Sequence, residues 1–151
     1  MRTDSRFEAY ASDIDEEILD TVYENALRAG VEQHLNIFQA DARQIRRLDR
    51  RGTVLCNPPY VMESEKAAMR TNVLNYEPGL ALFVPDADPL VFYRAVAQWA
   101  GRFLRRGGTG LVEINESLGP QTEAVFKDAG YKETQIVRDF FSKYRFVKFS
   151  A

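Results

Sequence analysis

One cysteine, Cys56, and one histidine, His34, are all that this 151-residue chain has of either. A lone thiol excludes an internal disulfide and any multi-cysteine zinc site, and a lone imidazole cannot make good the missing ligands, so no metal is expected. No apolar run approaches the ~20 residues of a membrane-spanning helix, and Met1-Arg2-Thr3-Asp4-Ser5-Arg6 has no signal-peptide core. No membrane partner and a cytoplasmic, reducing setting are the expectation. The net charge is only −2, so no global field gathers nucleic acid. Repeats and low-complexity tracts are also missing. What the chain does have is 45% apolar residues, enough for the core of a single domain over 1–151.

Strand and helix patterns alternate along it. Residues 7–12 read as a strand closed by Asp13-Ile14-Asp15, and 16–29 as a helix with Asp15 as N-cap and Gly30 as stop. Ile18, Leu19, Val22, Ala26 and Leu27 give that helix its apolar stripe. A second strand at 35–39 leads to Asp41 and a short arginine-rich helix. Its Arg43, Arg46, Arg47, Arg50 and Arg51 are interrupted by Asp49 and read as a solvated face rather than a phosphate-binding patch. A third strand covers 53–56. A weak helix near 64–72 passes into a long loop to 89, a kind of element that in compact domains usually serves binding. A strong amphipathic helix at 90–104 carries Trp99 as a core anchor, followed by a strand at 109–114 and a helix at 120–129. A hairpin-like pair at 131–138 and 144–149 closes the chain, with Phe140, Phe141, Tyr144 and Phe146 assigned to packing. The alternation predicts an α/β, doubly wound sheet, mostly parallel with an antiparallel last strand.

The third strand ends in Asn57-Pro58-Pro59-Tyr60. Two prolines fix φ at consecutive positions and remove two backbone donors, so the nearby carbonyls and the Asn57 amide are left to point at something other than a ladder. Methyl transfer to a planar nitrogen suits such a turn. The Asn57 oxygen and the Pro58 carbonyl can hold an NH2 group, Tyr60 can stack on its plane, and the nitrogen is then aligned with a sulfonium methyl. Ligands in open α/β sheets sit over the carboxyl ends of strands, which draws attention to Asp13, Asp41, Asn57 and the Glu113-Ile114-Asn115 stretch.

The turn resembles the (Asn/Asp)-Pro-Pro-(Tyr/Phe/Trp) signature of S-adenosylmethionine-dependent amino-methyltransferases, whose Rossmann-like fold matches the predicted alternation. From Asn57 onward the resemblance narrows. Tyr76-Glu77-Pro78-Gly79-Leu80-Ala81-Leu82, Phe92-Tyr93-Arg94, Gly107-Gly108 before a strand ending in Glu113, Ala129-Gly130-Tyr131, and Arg138-Asp139 with Arg145 look like the bacterial protein-(glutamine-N5) methyltransferases that modify peptide chain release factors, the HemK-like family. That resemblance implies that Asn57, Pro58 and Tyr60 hold the glutamine amide of a Gly-Gly-Gln loop, and that Pro59, Glu77 and Pro78 shape the substrate pocket.

Earlier segments, Ala11-Ser12-Asp13-Ile14-Asp15, Glu24-Asn25-Ala26, Arg28-Ala29-Gly30-Val31 and Asp41-Ala42-Arg43, are similar both to that family and to ribosomal-RNA guanine-N2 methyltransferases. Either resemblance implies S-adenosylmethionine as cofactor, with Asp13 and Ile14 at the ribose, Asp41 and Ala42 at the adenine, and Asn57 at the methyl-bearing end. RNA guanine-N2 or nucleic-acid adenine-N6 methylation, and a noncatalytic binding or assembly role, remain alternatives. Methyltransferases of this fold open with a strand and a glycine-rich turn, and nothing before Phe7 matches these. Gly107-Gly108-Thr109-Gly110 is assigned instead to stopping a helix. The expectation is therefore a chain that starts at the usual second strand, binds cofactor weakly by itself, and self-associates through unpaired strands.

Overall fold

The computed structural model describes residues 8–46, 48–49 and 51–151. The chain divides into two units, Met1–Ile45 and Arg46–Ala151.

In the first unit, β1 (Ala9–Asp13) and β2 (Leu35–Gln39) pair in parallel, with Ala9 opposite Leu35 and Asp13 opposite Gln39. Parallel neighbours need a crossover, and α1 (Glu16–Ala29) supplies it. Asp15 caps α1 as predicted, accepting from the Glu17 amide at 2.9 Å, and Gly30 ends it at φ 67°, where a side chain would be strained. The buried stripe is narrower than the sequence pattern, because a two-stranded sheet offers little surface to cover. Leu19 and Ala26 are buried, while Ile18 and Leu27 are exposed. No helix follows Asp41 among the described residues. The Gln44 amide turns back to the Asp41 carbonyl instead, and Arg47 and Arg50 of the expected arginine helix, like Phe7 of the expected first strand, lie outside the described residues.

The second unit is built on a four-stranded sheet. Its strands are β3 (Arg51–Cys56), β6 (Leu104–Glu113), β7 (Glu133–Arg138) and β8 (Tyr144–Ser150), in the order β3-β6-β8-β7. β3 and β6 are parallel, and β8 runs antiparallel to both β6 and β7. A second, two-stranded ladder joins β4 (Val61–Met62) to β5 (Phe83–Val84) in parallel. Between them the chain does not form the expected open loop. A 3-10 segment at Glu63–Ala68, α2 (Thr71–Tyr76) and α3 (Gly79–Leu82) occupy it. Among the described residues β1 has one ladder partner, β2, and β3 has one, β6.

Helices α4 (Val91–Phe103) and α5 (Gly119–Asp128) complete the core of this unit. Trp99 is buried, as its position on an amphipathic helix predicts, along with Tyr93, Val96 and Ala100. The Phe126 and Phe149 rings stack at 4.2 Å, and the Tyr131 ring meets Phe149 edge-on at 4.8 Å while its hydroxyl donates to the Ala97 carbonyl. The closing hairpin differs from its sequence reading at the tip. Phe140 and Phe141 are 106% and 84% exposed, because the turn through Ser142 at φ 63° lifts them off the sheet, and Val147 and Phe149 take the buried positions. Gly107 and Gly108 stop no helix. They lie inside β6, where the register against β3 shifts and Gly107 adopts φ 75°. Among the described residues no helix is long and apolar enough to cross a membrane.

Gly110 faces Phe149 across the β6–β8 ladder, and a Cβ built there would lie 2.0 Å from the ring. Gly110→Ala should therefore cost about 1–3 kcal/mol, the usual price of forcing volume into a packed core. Urea unfolding measures it, and an unchanged midpoint would contradict this packing.

Candidate active site

Cys56 is the last residue of β3, and the chain leaves the sheet at Asn57. Burial pushes the Cys56 thiol up to about 11, so it has no nucleophilic character near neutrality. The turn that follows lines a small cavity of about 70 Å³, whose walls are Asn57, Pro58, Tyr60, Val61, Ala81 and Leu82. Asn57 is exposed and Pro58 is buried. The Asn57 side chain has no hydrogen-bond partner among the described residues, so both ends of its amide are open to a ligand.

Tyr60 is gripped on every polar atom it has. Its amide donates to the Leu82 carbonyl at 3.2 Å, its carbonyl accepts from Asn115 Nδ2 at 3.1 Å, and its hydroxyl donates to Glu113 Oε1 at 2.7 Å. Partial burial, then the Glu113 acceptor and its charge, push the Tyr60 hydroxyl up to about 12. It is a neutral donor at physiological pH. Tyr93 steadies the same corner, its hydroxyl donating to the Glu113 carbonyl at 3.2 Å, and Arg145 nearby pairs with Asp139 at 3.1 Å.

The segment expected to shape the pocket does reach it, through different residues. Ala81 and Leu82 line the cavity, held there by the bond from Tyr60 and by the β4–β5 ladder. Glu77 and Pro78 are exposed at the join between α2 and α3 and are not among the lining residues; neither is Pro59, which is half-buried. Sequence reading singled out Glu113-Ile114-Asn115 as a strand end but gave no role to Glu65, whose carboxylate binds the Met62 amide at 2.8 Å and Asn115 Nδ2 at 2.7 Å. The spacing of Met62 and Glu65 as N-cap and third residue of a helical turn was the available signal.

In the first unit, Asp13 ends β1. Its Oδ1 accepts from the Asp15 amide at 3.0 Å, and its second oxygen has no partner among the described residues. Ile14 is half-exposed beside it, with its carbonyl accepting from Gln39 Nε2 at 2.9 Å. Asp41 is engaged differently. Both its oxygens accept from Arg43, at 2.7–3.0 Å, and Arg43 also brings its backbone amide to 2.8 Å. That side-chain bond holds the Asp41 carboxyl below the usual range. Ala42 lies between the pair.

The chain is similar to several known proteins. The family described as "RMKL-like, methyltransferase domain" matches residues 1–74. A release factor glutamine methyltransferase of Bacteroides thetaiotaomicron is 42% identical over 110 residues, covering 73% of this chain and 38% of that protein. Its counterpart from Flavobacterium psychrophilum is 34% identical over 140 residues, covering 92% and 48%. The chain thus spans less than half the length of these curated relatives. Among solved structures, a methyltransferase from Pyrococcus furiosus superposes with a TM-score of 0.66 at 14% identity, over 95% of this chain and 62% of that one. TrmN from Thermus thermophilus superposes at 0.59 with 19% identity, over 95% and 36%. The fold is the α/β methyltransferase fold, with mostly parallel strands and an antiparallel end.

Because Arg43 depresses the Asp41 pKa, their pairing stabilises the first unit above the ordinary carboxylate range and is lost as pH falls through the folded value. Arg43→Ala should raise the Asp41 pKa toward that ordinary range. An NMR titration of the Asp41 carboxyl reads this directly, and an unmoved midpoint would contradict the assignment of the shift to Arg43.

Proposed function

We propose, for a chain homologous to release factor glutamine methyltransferases over most of its length, that it transfers a methyl group from S-adenosylmethionine to a glutamine side-chain amide, with the Gly-Gly-Gln loop of a cytoplasmic release factor as substrate. The observation that carries the reading is the small cavity over the carboxyl end of β3, whose open polar group is the Asn57 amide beside the Pro58 carbonyl. A glutamine NH2 presents two donors in one plane. Asn57 Oδ1 and the Pro58 carbonyl would accept them, and the Tyr60 ring would pack on the amide plane. Holding both hydrogens draws electron density onto a nitrogen whose lone pair is otherwise delocalised. Proline at 58 favours this use, since its ring fixes φ, Pro59 after it restricts the ψ that aims its carbonyl, and its missing donor cannot compete for the site.

S-adenosylmethionine, when bound, supplies an electrophilic sulfonium methyl. On the first unit, the open oxygen of Asp13 fits a ribose hydroxyl, and exposed Ile14 offers it an apolar neighbour. Asp41 fits less simply. Arg43 covers both its oxygens, so an adenine amine there would share the carboxylate with Arg43, while Ala42 adds a small side chain that leaves room for a flat base. Asn57 would serve the methyl-bearing end. Pro59, Glu77 and Pro78 would act on the substrate from outside the cavity, guiding the chain on either side of the glutamine.

An RNA guanine or nucleic-acid adenine acceptor is the second reading, because Asp13-Ile14-Asp15 and Asp41-Ala42-Arg43 resemble guanine-N2 methyltransferases as well. The size of the cavity favours the carboxamide. The deciding experiment offers radiolabelled S-adenosylmethionine to protein expressed from its native reading frame, with a release factor or bare RNA as acceptor. Label should enter the release factor. Equal or faster labelling of RNA would overturn the glutamine assignment.

Asn57→Ala removes one of the two acceptors and should lower turnover more than about tenfold, through the lost hydrogen bond and the misaligned nitrogen together. Cofactor affinity should fall by much less than turnover. Steady-state rates with calorimetry check both, and near-normal turnover would make the turn structural only.

A further inference from the structure

Asn115 is a buried side chain that joins the end of β6 to the residues following the Pro-Pro turn. It is 6% exposed, yet its amide makes four hydrogen bonds. Nδ2 donates to the Tyr60 carbonyl at 3.1 Å and to Glu65 Oε2 at 2.7 Å, and Oδ1 accepts from the Ser117 amide at 2.9 Å and the Ser117 hydroxyl at 2.7 Å. Glu65 passes the connection on to the Met62 amide. No backbone ladder could do this at Pro58 and Pro59, which have no N–H to give.

We infer that Asn115 is a positioning residue for methyl transfer, fixing the Tyr60 backbone so that the Tyr60 ring and the Asn57–Pro58 acceptors meet the substrate amide in a reactive geometry. Asn115 is not among the residues that line the cavity; it acts through Tyr60, which is. Two features separate this from ordinary core packing. Both polar atoms of the Asn115 amide are used, and while Oδ1 caps the turn at Ser117, Nδ2 reaches two residues after the Pro-Pro turn, Tyr60 and Glu65, rather than the sheet. With the Tyr60 amide tied to Leu82 and its hydroxyl to Glu113, the Asn115 bond is the third restraint and the one that sets the carbonyl end. Losing it leaves a half-buried acceptor unpaired and lets the ring swing about the other two.

The inference rests on the glutamine reading for its kinetics, so its test carries one readout that needs no substrate. Asn115→Asp keeps Oδ1 for Ser117 but replaces the donor with an oxygen facing both the Tyr60 carbonyl and the Glu65 carboxylate. Hydrogen exchange at the Tyr60 amide should quicken about tenfold while amides along β8 are unchanged. With the Gly-Gly-Gln loop as acceptor, kcat should fall at least about tenfold at unchanged KM for the cofactor. Adding Glu65→Gln removes the carboxylate repulsion and lets the side chain at 65 donate back to 115 at the cost of its bond from the Met62 amide, so the thermal midpoint should recover in part. The Tyr60 carbonyl still lacks its donor, so kcat and Tyr60 exchange should not recover. Unchanged Tyr60 exchange in Asn115→Asp, or kcat restored together with the midpoint in the double variant, would overturn the positioning role. Wild-type protein that labels no glutamine would instead sink the glutamine reading, and the exchange result would still decide for or against Asn115.

Discussion

Two adjacent prolines set the terms for the whole site. A turn containing Pro58 and Pro59 has no backbone donors at two successive positions, so it cannot hold its own shape by a ladder. The structure answers by fastening the next residue, Tyr60, at three points on two segments: Leu82 before β5, and Glu113 and Asn115 at and just beyond the end of β6. Asn57 and Pro58 line the cavity beside Tyr60. Rigidity is borrowed from the sheet, and openness is kept for the ligand.

The core makes that borrowing possible. β6 sits between β3 and β8, and its far end is pinned by Phe149, which packs against Phe126 and Tyr131 while leaving no room for a side chain at Gly110. A strand so held delivers Glu113 and Asn115 at a fixed height and angle. Groups mounted on sheet ends keep tighter geometry than groups mounted on loops, and alignment of a weakly nucleophilic nitrogen is the feature on which transfer to an amide depends. The neutral Tyr60 hydroxyl and the inert Cys56 thiol fit a site that works by position and hydrogen bonding, without a side-chain nucleophile.

Local patterns made much of this readable. Asp15 and Gly30 bracket α1 because capping is a property of a few neighbouring residues, and Trp99 falls in the core because helical spacing places it there. The Asn57-Pro58-Pro59-Tyr60 turn was legible for the same reason. What escaped reading depended on contacts distant in sequence. Glu65 and Asn115 are fifty residues apart and meet only in the fold. The segment from 64 to 89 read as a weak helix to 72 and then a loop because α2, α3 and β5 are each too short to show a period, and a tertiary ladder to β4 stabilises part of it. Phe140 and Phe141 looked like core by composition, yet the hairpin turn places them outside.

The most direct measurement of the central claim is an NMR titration of the protein with a short peptide bearing the Gly-Gly-Gln sequence. The account predicts that the Asn57 side-chain amide and the backbone amides of Tyr60 and Ala81 shift together and saturate at one peptide concentration, and that replacing the peptide glutamine with glutamate abolishes the effect. Shifts confined to other surfaces, or an equal response to the glutamate peptide, would contradict it.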